Sequence, residues 1–226
     1  MTEEINESYS LLRNLAGNLM DEVNSEWLLE RSIIDPRCVS ASDFLHKLYG
    51  GRYMLYGGRY VKPEKIRISY SSINNNQRNS IIWPNDGFEI SSDKGVWFFP
   101  QPVDVEWAVL KWRYIVLKNT WAPPFTWLAA IAQILPQITS ITTSGKNKLH
   151  VLSKIDATSL DDFEFYISKL GNLKKFGTHI CSPMEMTRLP GCFRNVKGHM
   201  REQKLLFFDP TGTDLTLNDL HVRRLI

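Results

Sequence analysis

Short apolar runs that stop at glycine, proline or a polar turn recur along this chain, and they limit what it can fold into. Ile66-Arg67-Ile68-Ser69-Tyr70 alternates, and Gly95-Val96-Trp97-Phe98-Phe99 closes at Pro100. Trp112–Leu117, Ile138–Thr143, Lys148–Ile155 and Leu205-Leu206-Phe207-Phe208 follow, the last ending at Asp209-Pro210. Runs of this length, rich in β-branched and aromatic residues, predict strands. Between them lie stretches with helical spacing: Phe44, Leu45 and Leu48 before Gly50-Gly51, then Phe125–Leu135, and Leu160, Phe163, Ile167 and Leu170 behind a Ser159-Leu160-Asp161-Asp162 capping box. Helices packed on a sheet, an α+β domain with a mixed sheet, is the expected architecture. The polar stretch Ser72–Ser80, with three consecutive asparagines, reads as a loop.

The N-terminal segment has its own character. Leu11, Leu12, Leu15, Leu19, Val23 and Trp27 recur at three- and four-residue steps, predicting one amphipathic helix that ends before Asp35-Pro36. Residues 1–45 carry 3 Lys/Arg against 9 Asp/Glu, so the remaining chain holds a balance of +9. Residues 1–43 are therefore expected as an acidic helical segment preceding a domain over 44–226. Such a helix can pack on the body, dock a basic partner or cover a groove of its own chain. The positive body is compatible with a polyanionic partner, although a solvated charged surface is the simpler reading.

Composition excludes several classes. A hydrophobic fraction of 43% and a charged fraction of 23% fit a globular chain and rule out a disordered tail or a coiled coil. Three scattered cysteines, Cys38, Cys181 and Cys192, make no disulfide framework and no four-thiolate zinc site, which points to a reducing cytoplasm. The longest apolar run, Trp127 to Leu135, is interrupted by Gln133 and far shorter than the roughly 18 residues a membrane span needs, so no membrane partner is expected.

Phosphate chemistry suggests itself at several places. Ser144-Gly145-Lys146-Asn147-Lys148-Leu149-His150 is a glycine turn between two strands, able to present N–H groups and cations to a phosphate. It is not a Walker A loop, having one glycine and a following strand. Thr187-Arg188-Leu189-Pro190-Gly191-Cys192-Phe193-Arg194 holds two arginines around a Pro-Gly turn, with Lys197, Arg201 and Lys204 downstream. Such arginines can clamp phosphate bidentately, and an exposed basic loop is the structural alternative. The repeat Tyr49-Gly50-Gly51-Arg52-Tyr53 and Tyr56-Gly57-Gly58-Arg59-Tyr60 sets Arg52 and Arg59 beside tyrosines, where they could stack on bases or simply form a cap and hairpin turn.

Taken in order, these landmarks resemble the primase–polymerase module of the archaeo-eukaryotic primase superfamily, closest to its bacterial and mobile-element branch. The resemblance runs from about Phe44 to Pro210. It rests on Gly95–Phe99 with Pro102-Val103-Asp104, Trp112–Leu117, the Ser144-Gly145…His150 turn, Thr187–Cys192 with Arg194, and Gln203–Pro210. It implies a palm-type fold and a metal-dependent nucleotidyltransferase, using two carboxylates one residue apart after the first core strand and a third before the Arg-Leu-Pro-Gly turn.

The chain departs from that pattern where the metal would bind. The acidic pair falls on Lys118 and Thr120, and the third position near His179, with Glu185 the nearest carboxylate. Of the family's phosphate-handling groups His150, Arg188 and Arg194 remain, while Asn147 and Lys148 replace its usual lysine and serine; Ser144, Lys146 and Lys148 are this turn's own candidates for phosphate contact. The expectation is a primase-like fold without catalysis, its enzyme status open, with no resident cofactor. It would bind single-stranded DNA or RNA, or a nucleotide, through these groups and through Lys118, Arg52, Arg59, Lys197, Arg201 and Lys204. A helicase or another replication or defence protein is the expected partner. Two alternatives stand beside it: an active primase-polymerase whose Mg²⁺ or Mn²⁺ site has moved to Asp104, Glu106 or Asp156, and a protein-interaction scaffold.

Overall fold

The computed structural model describes residues 3–50, 63–72, 78–85, 90, 94–104, 106, 108–135, 137–216 and 219–220. The N-terminal helix is interrupted. Helices α1 (Glu3–Ala16), α2 (Leu19–Glu22) and α3 (Ser25–Arg31) replace the single helix that the spacing predicts. Gly17 breaks it with a φ of 53°, a conformation glycine adopts without steric cost. Asn24 then starts α3 by accepting hydrogen bonds from the Glu26 and Trp27 N–H groups, both at 2.9 Å. Helix α4 (Ala41–Tyr49) opens on a Ser40–Asp43 capping box.

Strands β1 (Ile66–Ser72), β2 (Arg78–Trp83), β3 (Lys94–Phe98) and β8 (Thr187–Arg188) form one sheet in the order β2-β1-β3-β8. A second sheet has the order β11-β5-β6-β4-β7, built from β4 (Tyr114–Asn119), β5 (Ser140–Thr143), β6 (Leu149–Lys154), β7 (Thr178–Ile180) and β11 (Leu205–Phe208). Strands β9 (Phe193–Val196) and β10 (His199–Glu202) make a separate hairpin. Helices α5 (Pro124–Ile134) and α6 (Leu160–Lys169) complete the described elements, with 3₁₀ turns at Pro36–Cys38 and Gly171–Phe176. The fold is α+β. Every ladder among the described strands is antiparallel, where a mixed sheet is expected, and the one parallel pairing is an isolated Ile155–Leu215 bridge. Strand β2 starts at Arg78, inside the stretch read as a loop, because Arg78 to Trp83 pairs along β1.

The five-stranded sheet is covered on both faces. Ile115 and Leu117 of β4 join Leu12, Ala16, Leu28, Trp127, Val151 and Phe163 in one core. Tyr114 and Val116, on the other face, join Phe44, Ile68, Phe98, Leu152 and Phe208 in a second. A strand buried on both faces needs a near-continuous apolar run, and Tyr114–Leu117 is one. Phe44 ties the two sheets: its ring lies 5.1 Å from Phe208 and 5.8 Å from Phe98. The first 43 residues do not stand apart, since Leu12, Ala16, Val23 and Leu28 sit in the same core as α5. That packing places α1 on the sheet face opposite the second core. No helix among the described residues is long and apolar enough to cross a membrane.

Candidate functional site

A single polar row crosses the five-stranded sheet. Register pairs Leu205 with Thr142, Thr142 with His150, His150 with Lys118, and Lys118 with His179. Directly paired residues point to the same face, so Thr142, His150, Lys118 and His179 stand side by side over the second core. Two residues further in on that face, Phe208, Ser140, Leu152 and Val116 form the next row, which is mostly apolar. The polar row therefore marks where the inter-sheet core ends.

Lys118 lies within β4, not beyond its end, and is paired. Its ammonium donates to Glu185 Oε1 and, at 3.3 Å, to the Met186 carbonyl. Glu185 is held by a turn after β7, its N–H bonding the Ser182 carbonyl at 3.0 Å. Its other carboxylate oxygen meets His179 Nε2 at 2.8 Å. Burial pushes the Glu185 pKa up, but the hydrogen bonds and charges of Lys118 and His179 outweigh it and hold the group down at about 2. The carboxylate is ionised at neutral pH and the lysine charge is internally balanced.

His150 is bonded through Nδ1 to Thr187 Oγ1 at 3.0 Å. Desolvation, then the charges of Lys118, Arg188 and Arg194, push its pKa down to about 3 against the opposing pull of Glu185. The imidazole is neutral at pH 7. When Thr187 donates, the ring proton sits on Nε2, available to an acceptor. The same interactions place Arg188 and Arg194 near His150, although both lie far from it in sequence. A pocket of about 10 Å³ lies between the sheets against His150, Thr142, Thr187 and Arg188, room for about one water.

Among the described residues, one group of side chains able to hold a metal stands out: His179, Cys181 and Glu185, with ligand atoms within 4.8 Å of one another. It does not fit Mg²⁺ or Mn²⁺. Those hard ions require several oxygen ligands, and here one carboxylate is shared with an ammonium beside an imidazole and a thiol. Burial pushes the Cys181 thiol up to about 12, so it is protonated and unreactive. Thr120 is exposed. The other carboxylates are elsewhere. Asp104 Oδ1 accepts from the Glu106 and Ala108 N–H groups at 2.8 and 2.9 Å, in a loop leading toward the start of β4. Asp156 accepts from the Tyr166 hydroxyl beyond the end of β6, at the opposite end of the strand from His150.

The basic segments converge at one end of the sheet. Arg194 donates to the Ser144 carbonyl at 3.2 Å, and Lys204 and Thr143 exchange hydrogen bonds, both at 2.8 Å. Gly145, at φ 73°, lies so close to β10 that a Cβ there would sit 3.3 Å from Arg201 Cβ. The hairpin turn Lys197-Gly198, with φ of 53° and 84°, has the left-handed backbone that suits the twist of its strands. All four β10 residues are exposed. Lys146, Lys148, Arg194, Lys197, Arg201 and Lys204 thus lie on segments that meet, and residues 140–148 and 193–204 contain one acid, Glu202. Among the described residues none of these six is in an ion pair.

Two sequence-predicted groups sit differently. Ser144 is buried, and its hydroxyl accepts from the Lys146 N–H at 3.3 Å, so it shapes the turn. Arg188 stacks over the Trp97 ring, 3.9 Å from its centroid, across the β3–β8 pair. Arg52 and Arg59 lie outside the described residues. Sequence reasoning gave Thr142, Thr187 and Cys181 no role of their own at a site; the alternation His179-Ile180-Cys181 was the available sign of a strand with two chemical groups on one face. No protein-family model matches this chain, and neither a curated protein nor a solved structure does.

Proposed function

We propose that this chain is a primase-like protein that binds nucleic acid or nucleotide phosphates without catalysing nucleotide transfer, as an accessory to replication of a mobile element or to a defence system. The observation that carries the reading is the union of the Ser144–Lys148 turn, Arg194, and the Lys197–Lys204 segment on one basic surface. These were separate in sequence, and each was singled out there for phosphate contact. The Lys118–Glu185 pair supports the non-catalytic part: where the resemblance would put a metal-binding carboxylate, an ammonium is neutralised by a carboxylate from another segment. Binding would come from lysine and arginine contacts to phosphates with release of condensed counterions, while neutral His150 offers a hydrogen bond without adding charge.

The test has two arms on the full chain. Affinity for an oligonucleotide should fall steeply with salt, and nucleotide incorporation on primed and unprimed templates should be absent with Mg²⁺ and with Mn²⁺. Incorporation that is lost on neutralising Asp104 or Glu106 would mean an active polymerase with a displaced metal site. Absence of salt-sensitive binding would leave the scaffold reading.

A further inference from the structure

The basic surface reaches only part of the way across the sheet end, and an aromatic group stands at its far side. Strand β4 ends at Asn119, and continuing the β4–β6 register past Lys118–His150 brings Thr120 level with Lys148. The next residue, Trp121, is 39% exposed. Its indole lies against the backbone of Gly177, where a Cβ would sit 3.0 Å from Cε2 and 3.1 Å from Nε1. Gly177 has a φ of 75° and closes the Gly171–Phe176 turn. Only glycine meets both demands. The Thr120 N–H bonds the Gly177 carbonyl at 2.8 Å and the Gly177 N–H bonds the Lys174 carbonyl at 3.2 Å, fixing the two segments together. Lys174 and Lys175 of that turn are exposed, and among the described residues neither is in an ion pair.

The end of the sheet thus presents, from β11 to β7, Arg201 and Lys204, then Lys146 and Lys148, then Trp121, then Lys174 and Lys175. Four interstrand spacings make this rim about 19 Å long. Cations on both sides of a pinned, half-exposed indole match a polymer with a charged backbone and flat faces. In a duplex those faces are covered by neighbouring base pairs; in a single strand they are free to stack. We propose that a single-stranded nucleic acid crosses this end of the sheet and stacks a base on Trp121, with Lys174 and Lys175 on the adjoining phosphates. The inference rests on the nucleic-acid reading above and adds to it a stacking subsite, which would give the expected single-strand binding its structural basis.

Fluorescence anisotropy tests it with labelled oligothymidylate and oligouridylate about 20 nucleotides long, and with the thymidylate probe annealed to its complement. Tighter binding to the single strands than to the duplex is expected, and the two single strands compared decide between DNA and RNA. Trp121→Ala should weaken single-strand binding about five- to a hundredfold and leave the salt slope unchanged. Replacing Lys174 and Lys175 by alanine should reduce that slope by about 1.4. Trp121→Phe, which keeps a stacking ring and the packing on Gly177, should retain most of the affinity but lose part of the tryptophan quenching caused by unlabelled oligothymidylate. Salt-sensitive binding that ignores both Trp121 substitutions would overturn the subsite while leaving the nucleic-acid reading in place. No salt-sensitive binding to any probe would overturn both.

Discussion

The ammonium of Lys118 and the carboxylate of Glu185, 67 residues apart in sequence, form a partly buried ion pair at the end of the inter-sheet core. The pair keeps a cation in a strand whose preceding residues on the same face, Tyr114 and Val116, belong to the inter-sheet core. Lys118 is reached by its stem along that face, with the charge at the rim. Its substitution should therefore disturb both stability and the field over the basic surface.

Lys118→Met would leave Glu185 with His179 alone. A loss of about 1 kcal/mol in unfolding free energy is expected for a pair that solvent still reaches. Glu185→Gln added to Lys118→Met should restore part of it. Urea unfolding of the four chains gives the coupling, and strictly additive effects would mean the pair contributes nothing. Lys118→Glu should also weaken oligonucleotide binding, and unchanged affinity would remove Lys118 from the interface.

Acid should destabilise this protein early. His150 is held at about 3 in the folded chain against an ordinary 6.5, so the unfolded chain binds the proton first as pH falls. Stability is complete above about 6.5 and declines as pH drops toward 3. Glu185, at about 2 against 4.5, adds a loss in the same direction below 4.5. His150→Gln should flatten the dependence between pH 6.5 and 4.5 specifically. Thermal midpoints across that range check it, and parallel curves for the two chains would refute the assignment.

The hairpin cations should act as phosphate contacts that add. Replacing Arg201 and Lys204 by alanine is expected to lower the slope of log affinity against log salt by about 0.7 for each contact on a single strand. Both are exposed, so the unfolding midpoint should move little. A fall in affinity with an unchanged slope would mean that the residues act through the fold instead.

Phe44 should be costly to remove. It is 1% exposed and stacks on Phe208 of one sheet while meeting Phe98 of the other edge-on. Phe44→Ala is expected to cost about 3–5 kcal/mol, read from urea unfolding. A loss below about 1 kcal/mol would mean that the two sheets do not depend on this contact.

Much of the secondary structure was legible because it is written in neighbouring residues. The Ser40–Asp43 box and the apolar step of Phe44, Leu45 and Leu48 mark α4, and the unbroken run Tyr114–Leu117 marks β4. The N-terminal helix was misread where periodicity continued through Gly17 and Asn24, since hydrophobic spacing does not register a backbone that turns left-handed or a side chain that starts a new helix. Strand β7, only three residues long, and the exposed β9–β10 hairpin carry little apolar pattern and were missed for that reason.

The sequence alone determined the residue types available to the site: cations around two glycine turns, and a lysine, Lys118, in the apolar run that becomes β4. Only the tertiary structure decided which of them meet. The row Thr142–His150–Lys118–His179 exists because four strands share one register, and that register is set by burial on both faces of the sheet. The partner of Lys118 comes from a turn 67 residues away, and the Trp121 indole lies against Gly177, which is distant from it in sequence. Local propensity is a property of adjacent residues, whereas these contacts are properties of packed surfaces, which is why they appear only in the folded chain.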